Sequence, residues 1–215
     1  MQRPFWFFTS FKPSRMVACT AVAGLLALAG CGSSDPTLYS LAPIAGTQQV
    51  GMGGAVPAVI EVRTPGVPPS LDRQNIVGTQ DDYSLTPLVG AAWSEPLAPM
   101  LGHVLATDLQ QCLPGRSVFA QNDATTVPAL GFVEVEITRF ARDATGVVHL
   151  AGSLSVHRAG DAEHALSVPL ALSATPADSG TRAMVAALSQ LAGQVADMAA
   201  ERLQALPPAP APARR

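Results

Sequence analysis

The chain has 215 residues, 13 of them basic and 16 acidic, for a formal net charge of −3. That size suits one domain with extended ends. The acidic balance gives no electrostatic reason to bind nucleic acid. Three cysteines, one of them within the first 30 residues, rule out a disulfide-stapled scaffold.

Residues 1–15 carry Arg3, Lys12 and Arg15 and no acid, and an apolar run from Met16 to Leu28 follows. Thirteen apolar residues are too few to span a bilayer, which takes about 20. A basic start, a short apolar run and small residues make a secretory signal. Its end, Leu28-Ala29-Gly30-Cys31, reads as a lipobox: residues 1–30 are removed, and Cys31 is lipidated and becomes the first mature residue. Two or more acyl chains, at about 0.8 kcal/mol per buried CH₂, hold a protein stably on a membrane. Gly32, rather than Asp, follows Cys31 and favours the outer membrane. The mature chain keeps 10 Arg and no Lys against the 16 acids, a net of about −6, so the lipid rather than basic charge must do the anchoring. With Cys19 removed and Cys31 acylated, only Cys112 remains as a thiol.

Residues 31–37 are the lipidated N-terminus and linker, and residues 38–206 form a single domain. Thr37 to Leu41 alternates as a first strand, with Tyr39 and Leu41 on one face. Residues 45–57 form a Gly-rich connector without the Lys and Ser/Thr pattern of a phosphate loop. Ala58 to Arg63 is a second strand, closed by Thr64-Pro65-Gly66. A Pro-containing turn, Val67 to Arg73, leads to a short hairpin of Ile76–Thr79 and Tyr83–Val89.

Ser94-Glu95-Pro96 marks a helix start with Ser94 as the cap. Leu97, Met100, Leu101, Val104, Leu105, Leu109, Cys112 and Leu113 fall on one helical face, and Pro114-Gly115 stops it. Cys112 is thereby a buried structural thiol. Downstream, Val133-Val135-Ile137, Val148-Leu150-Leu154-Val156 and Leu166-Val168-Leu170-Leu172 alternate with small or polar residues. Turns at Asp143–Gly146 and near Ala159–Glu163 set Val135 opposite Leu154, Val133 opposite Val156, Leu154 opposite Val168 and Val156 opposite Leu166. This is an antiparallel meander with one apolar face. Pro169 points to its polar side and marks an edge strand. Ser179 or Thr181 caps a last helix of about 25 residues, whose apolar face (Met184, Leu188, Leu191, Val195, Met198, Leu206) lies across the sheet. Residues 207–215 are a Pro/Ala tail, extended and disordered by composition. The expected fold class is α+β: antiparallel sheet with two packed helices, in two similar β-rich/α halves.

No catalytic constellation is legible. Glu134 and Glu136 read as a solvated sheet face. His103, His149, His157 and His164 read as surface histidines without a third metal ligand, so neither metal nor cofactor is expected, and no enzyme activity. Two stretches resist a purely structural reading. In Leu71-Asp72-Arg73, the charged pair is either a local ion pair or an interface pair. Ahead of the helix, Trp93 is either a hydrophobic staple or a partner contact.

A lipobox, then Tyr39-Ser40-Leu41, then Leu71-Asp72-Arg73-x-x-Ile76-Val77, then Trp93-x-Glu95-Pro96-Leu97 resembles the ABC-type transport auxiliary lipoprotein family over most of residues 31–205. Gly90-Ala91-Ala92 departs from it, because the family often has a basic residue there. The resemblance implies a lipid-anchored outer-membrane protein facing the periplasm. It implies a partner, an MCE-domain protein of a system that moves lipids or other hydrophobic compounds between two membranes. It also implies docking or fold-defining roles for Leu71, Asp72, Arg73, Trp93 and Glu95, and it is compatible with homo-oligomeric rings. The competing reading is a structural or assembly lipoprotein of the envelope with no transport partner.

Overall fold

The structure is a computed structural model that describes residues 35–44, 56–81, 84–124 and 127–208. The lipobox and Cys31, most of the Gly-rich connector, Tyr83 and most of the Pro/Ala tail lie outside the described residues. Residues from Pro36 onward form one compact unit. Its elements are β1 (Thr37–Tyr39), β2 (Val59–Val62), β3 (Asn75–Thr79), β4 (Leu85–Trp93), α1 (Leu97–Cys112), β5 (Ser117–Ala120), β6 (Gly131–Arg142), β7 (Val148–Arg158), β8 (Asp161–Ala174) and α2 (Thr181–Gln204). No described helix is long and apolar enough to cross a membrane.

The α+β class holds. The meander of β6, β7 and β8 forms with the register set by its alternation: Val135 pairs with Leu154, Val133 with Val156, Leu154 with Val168 and Val156 with Leu166. Two local irregularities cancel on the way. The β6–β7 turn holds five residues rather than four, with Asp143 N–H donating to Val147 O. A bulge between Ile137 and Arg139 then takes up the extra residue. Gly152 sits opposite that bulge, where an added Cβ would lie 1.8 Å from the Glu136 carbonyl oxygen. Strand β8 pairs only with β7, and Pro169 on it is exposed, as an edge position requires.

The sheet departs from the purely antiparallel expectation, because its eight strands are mixed. Pairs β1/β4, β2/β5, β2/β6 and β3/β6 are parallel. Strand β6 is the hub. One edge carries β7 along its length. The other is shared by β2 at residues 131–133, a bridge from Gly66 to Glu136, and β3 at Arg142. Strand β5 is not legible in the sequence, since four residues are too few to show a period. Alternation says which face a strand buries, and it is silent about which distant strand it will meet.

Helices α1 and α2 cover the apolar face, and Ile60, Val62, Val133, Leu150, Leu154, Leu188 and Leu191 are all within 2% of full burial. Small residues on α2, Ala192, Ala196 and Ala200, are also fully buried and let the helix approach the layer closely. The helix start differs from the capped motif expected. Pro96 occupies the N-cap position of α1 and Gly180 that of α2, neither with a side-chain cap. Ser94 lies two positions ahead of the N-cap, and its hydroxyl instead meets that of Ser40.

Candidate functional site

The first cluster forms where the Pro-containing turn meets the end of β4. The Leu71 and Asp72 N–H groups both donate to Pro68 O, at 2.8 and 3.0 Å. That tight turn drives Leu71 into the core, 4% exposed, and leaves Asp72 and Arg73 outside. The chain then closes on β4: Trp93 N–H donates to Gln74 O at 2.7 Å, and Asn75 pairs with Ala92. Strand β1 adds to the other edge, pairing Tyr39 with Trp93, while Ser94 N–H donates to Tyr39 O at 2.9 Å. All three sequence motifs thus converge. Asp72, Arg73, Gln74, Trp93, Glu95 and Pro96 line an open groove of about 460 Å³ at the N-terminus of α1.

The structure sorts the five residues singled out by sequence. Leu71 and Trp93 are core residues, each 4% exposed. Trp93 therefore acts as packing next to the helix start. Asp72 is turned toward α1, where its Oδ1 accepts the Ala98 N–H at 3.4 Å. This supplies, from a distant turn, the helix-end acceptor that Ser94 does not. Arg73 and Glu95 are exposed on the rim of the groove.

A second cluster escaped the sequence reading. Residues 41–44 lie along the seam between the two helices, and three of their N–H groups find side-chain acceptors there. Leu41 donates to Met100 Sδ at 3.4 Å, Ala42 to Ser189 Oγ at 3.1 Å and Ile44 to Asp108 Oδ1 at 2.7 Å. Asp108 and Ser189 are the buried polar residues among the described ones, at 0% and 1% exposure. Gly193 lies against the segment, and a Cβ there would sit in ordinary contact, 3.5 Å from Ile44 O. Asp108 Oδ2 is buried with no hydrogen-bond partner among the described residues. Burial pushes the Asp108 carboxyl up to about 6, against the pull of the Ile44 N–H, and the nearby Asp197 charge adds to the rise. Cys112, one turn along α1, is buried as expected and donates to Asp197 Oδ1 at 3.3 Å. Burial first, then that bond, pushes its thiol up to about 12, which keeps it protonated and unreactive. The signal was present in the sequence: Met100, Val104, Asp108 and Cys112 recur every four residues, and an acid in such a stripe must be buried or break it.

The remaining titratable groups serve turns and the open sheet face. Glu134 lies 3.6 Å from His157 Nε2 and 3.8 Å from Arg63 Nε, and Arg63 stacks over Phe132. His149 Nε2 meets Asp143 Oδ2 at 2.8 Å, and His164 meets Asp161. Asp143 Oδ1 also accepts the Thr145 hydroxyl and the Thr145 and Val147 N–H groups. The Thr145 bond leads the causes that hold the Asp143 carboxyl down at about 2. Among the described residues no three His, Cys, Asp or Glu side chains come together as metal ligands.

Two helices on one face of a mixed sheet, with an open groove at a helix N-terminus, define an α+β domain. The chain belongs to the family described as the ABC-type transport auxiliary lipoprotein component, whose model matches residues 39–200. The family is described by a part in transport and not by a catalysed reaction. Two solved structures share the fold. One, an uncharacterized protein, is 20% identical with a TM-score of 0.63 and covers 78% of this chain and 97% of its own. The other, protein XCC0632 from Xanthomonas campestris of the DUF330 family, is 16% identical with a TM-score of 0.58 and covers 76% and 92%. No curated protein matches the chain.

Proposed function

We propose that this protein is a lipid-anchored periplasmic component on the outer membrane that docks an ABC/MCE-type transport system for lipids or other hydrophobic compounds. The observation that carries the reading is convergence. The motifs by which the sequence resembles the family meet at one groove, where Leu71, Trp93 and Asp72 serve the fold and Arg73 and Glu95 are left facing outward. A positive and a negative side chain on one exposed rim offer a protein partner a pair of complementary charged contacts. Leu28-Ala29-Gly30-Cys31 supports the anchor, and Gly32 supports the outer membrane.

The test is crosslinking of the lipidated protein in membranes, followed by capture and identification of partners. Recovery of an MCE-domain protein, weakened in a double Arg73→Ala, Glu95→Ala variant, is the expected result. Capture of correctly lipidated, folded protein with no MCE-domain protein under crosslinking overturns the docking reading.

A further inference from the structure

Five large apolar side chains are exposed among the described residues: Leu85 at the start of β4, Val127 and Leu130 ahead of β6, and two, Val89 and Leu38, toward the point where the chain from Cys31 enters the domain. Val89 on β4 is fully exposed, at 101%, and Leu38 on β1 is 58% exposed. Val89 stands on a bulge. Between the pairs Val77–Pro87 and Asn75–Ala92, β3 advances two residues while β4 advances five. Gly90 completes the bulge with φ +69°, and a Cβ there would meet nothing within 4 Å. Strand β1 runs parallel to β4 with Thr37 opposite Ala91, so the chain preceding Thr37 arrives on the Gly90 side.

Three features say what covers this surface. The first is reach: the six residues from Gly32 to Thr37 span at most about 20 Å even when fully extended. A lipidated Cys31 therefore holds the bulge close to the bilayer. The second is charge. Residues 84–94 of β4 and its flanks, and residues 36–60 around β1, contain no charged side chain. The opposite edge, β8, carries Asp161, Glu163 and His164. The third is shape. A bulged edge interrupted by Pro87 is poorly suited to adding a further strand, whether from a second copy or from a partner.

We propose that the Val89–Gly90 bulge, with Leu38 beside it, rests in the headgroup–acyl boundary of the bilayer that holds the Cys31 lipid, and so sets the orientation of the domain on the membrane. The proposal rests on the lipidation of Cys31. Two aliphatic side chains bind a membrane weakly on their own, and the tether makes the contact intramolecular. The acyl chains supply the attachment; the bulge supplies the angle.

The experiment uses the full lipidated protein reconstituted in vesicles of phosphatidylethanolamine and phosphatidylglycerol. An environment-sensitive fluorophore is placed at Val89→Cys and, in a separate protein, at Glu163→Cys on the far edge, while the buried Cys112 stays unlabelled. On vesicles the label at position 89 is blue-shifted and severalfold less accessible to iodide than the label at 163. The difference disappears in a Cys31→Ser chain made without residues 1–30. With the label at Leu38→Cys, adding Val89→Glu restores iodide access without changing the fold. Equal access at 89 and 163 on vesicles, with Cys31 shown by mass to be acylated, overturns the proposal and leaves the tether standing. Shielding at 89 that persists in the Cys31→Ser chain without vesicles overturns it in favour of a second copy. An unmodified Cys31 overturns the tether and the proposal together.

Discussion

The Asp108 carboxylate on α1 takes the Ile44 N–H at 2.7 Å and so ties the entering chain to the helix layer that closes the core. The bond places an acid at 0% exposure with its second oxygen unpartnered among the described residues. The folded state therefore prefers the protonated acid, whose carboxyl is raised to about 6 from 3.8. The sign follows: the stabilisation is fully present below about 3.8 and is lost as pH rises through about 6. Urea unfolding between pH 4 and pH 7 should show stability falling across that window. Asp108→Asn keeps an acceptor for Ile44 without the charge and should flatten this part of the profile. A wild-type profile that rises steadily over the same range would contradict the buried carboxylate.

Asp72 should matter to the protein as a helix-end acceptor before it matters as a charge. Asp72→Ala is expected to cost about 1 kcal/mol, the usual loss on removing such an acceptor. For a domain of this size that is a fall of roughly 2–4 °C in Tm. Asp72→Asn should recover most of it. Thermal unfolding of the three proteins decides the matter, and equal losses in both variants would point to an ion pair instead.

The groove residues should separate into two groups. Leu71→Ala and Trp93→Ala empty core sites and should each cost roughly 2–5 kcal/mol. Arg73→Ala and Glu95→Ala remove exposed side chains and should change stability by no more than about 0.5 kcal/mol. If docking uses this rim, partner capture falls in the second pair at unchanged Tm. Parallel denaturation and crosslinking experiments read both effects.

Two glycines that touch Glu136 should respond differently to alanine. At Gly152 the added Cβ meets the Glu136 carbonyl oxygen at 1.8 Å, and backbone inside a paired ladder has nowhere to go. At Gly66 it meets the Glu136 carboxyl group, the far end of an exposed side chain that can swing away. Gly152→Ala should therefore destabilise by clearly more than about 1 kcal/mol, and Gly66→Ala by much less. Similar midpoints in urea for the two variants would mean that the bulge at Ile137–Arg139 relaxes more easily than its hydrogen bonds suggest.

Much of the architecture was legible before any coordinates. The register of β6 on β7 and of β7 on β8 follows from the alternation of Val133 to Val156 and Val156 to Val168, because a one-residue slip would turn every apolar side chain to water. The two helices follow from their apolar stripes, and the buried thiol of Cys112 from its place in one of them. Local patterns of this kind carry their own energetics within a window of a few residues. The short motifs around Tyr39, Leu71-Asp72-Arg73 and Trp93 were visible as well, and so was the family they indicate.

What those motifs do was decided by contacts between segments far apart in the chain. Only the tertiary structure turns Asp72 to Ala98, pairs Ser94 with Ser40 in place of a helix cap, runs β2 and β3 parallel to β6, and threads residues 41–44 between α1 and α2 onto Asp108 and Ser189. A sequence records which side of an element is apolar, since burial alone selects it. It does not record which distant donor will reach a given acceptor. That is set when the layers pack, and it is why Leu71 and Trp93 could be told from Arg73 and Glu95 only once the groove between them had closed.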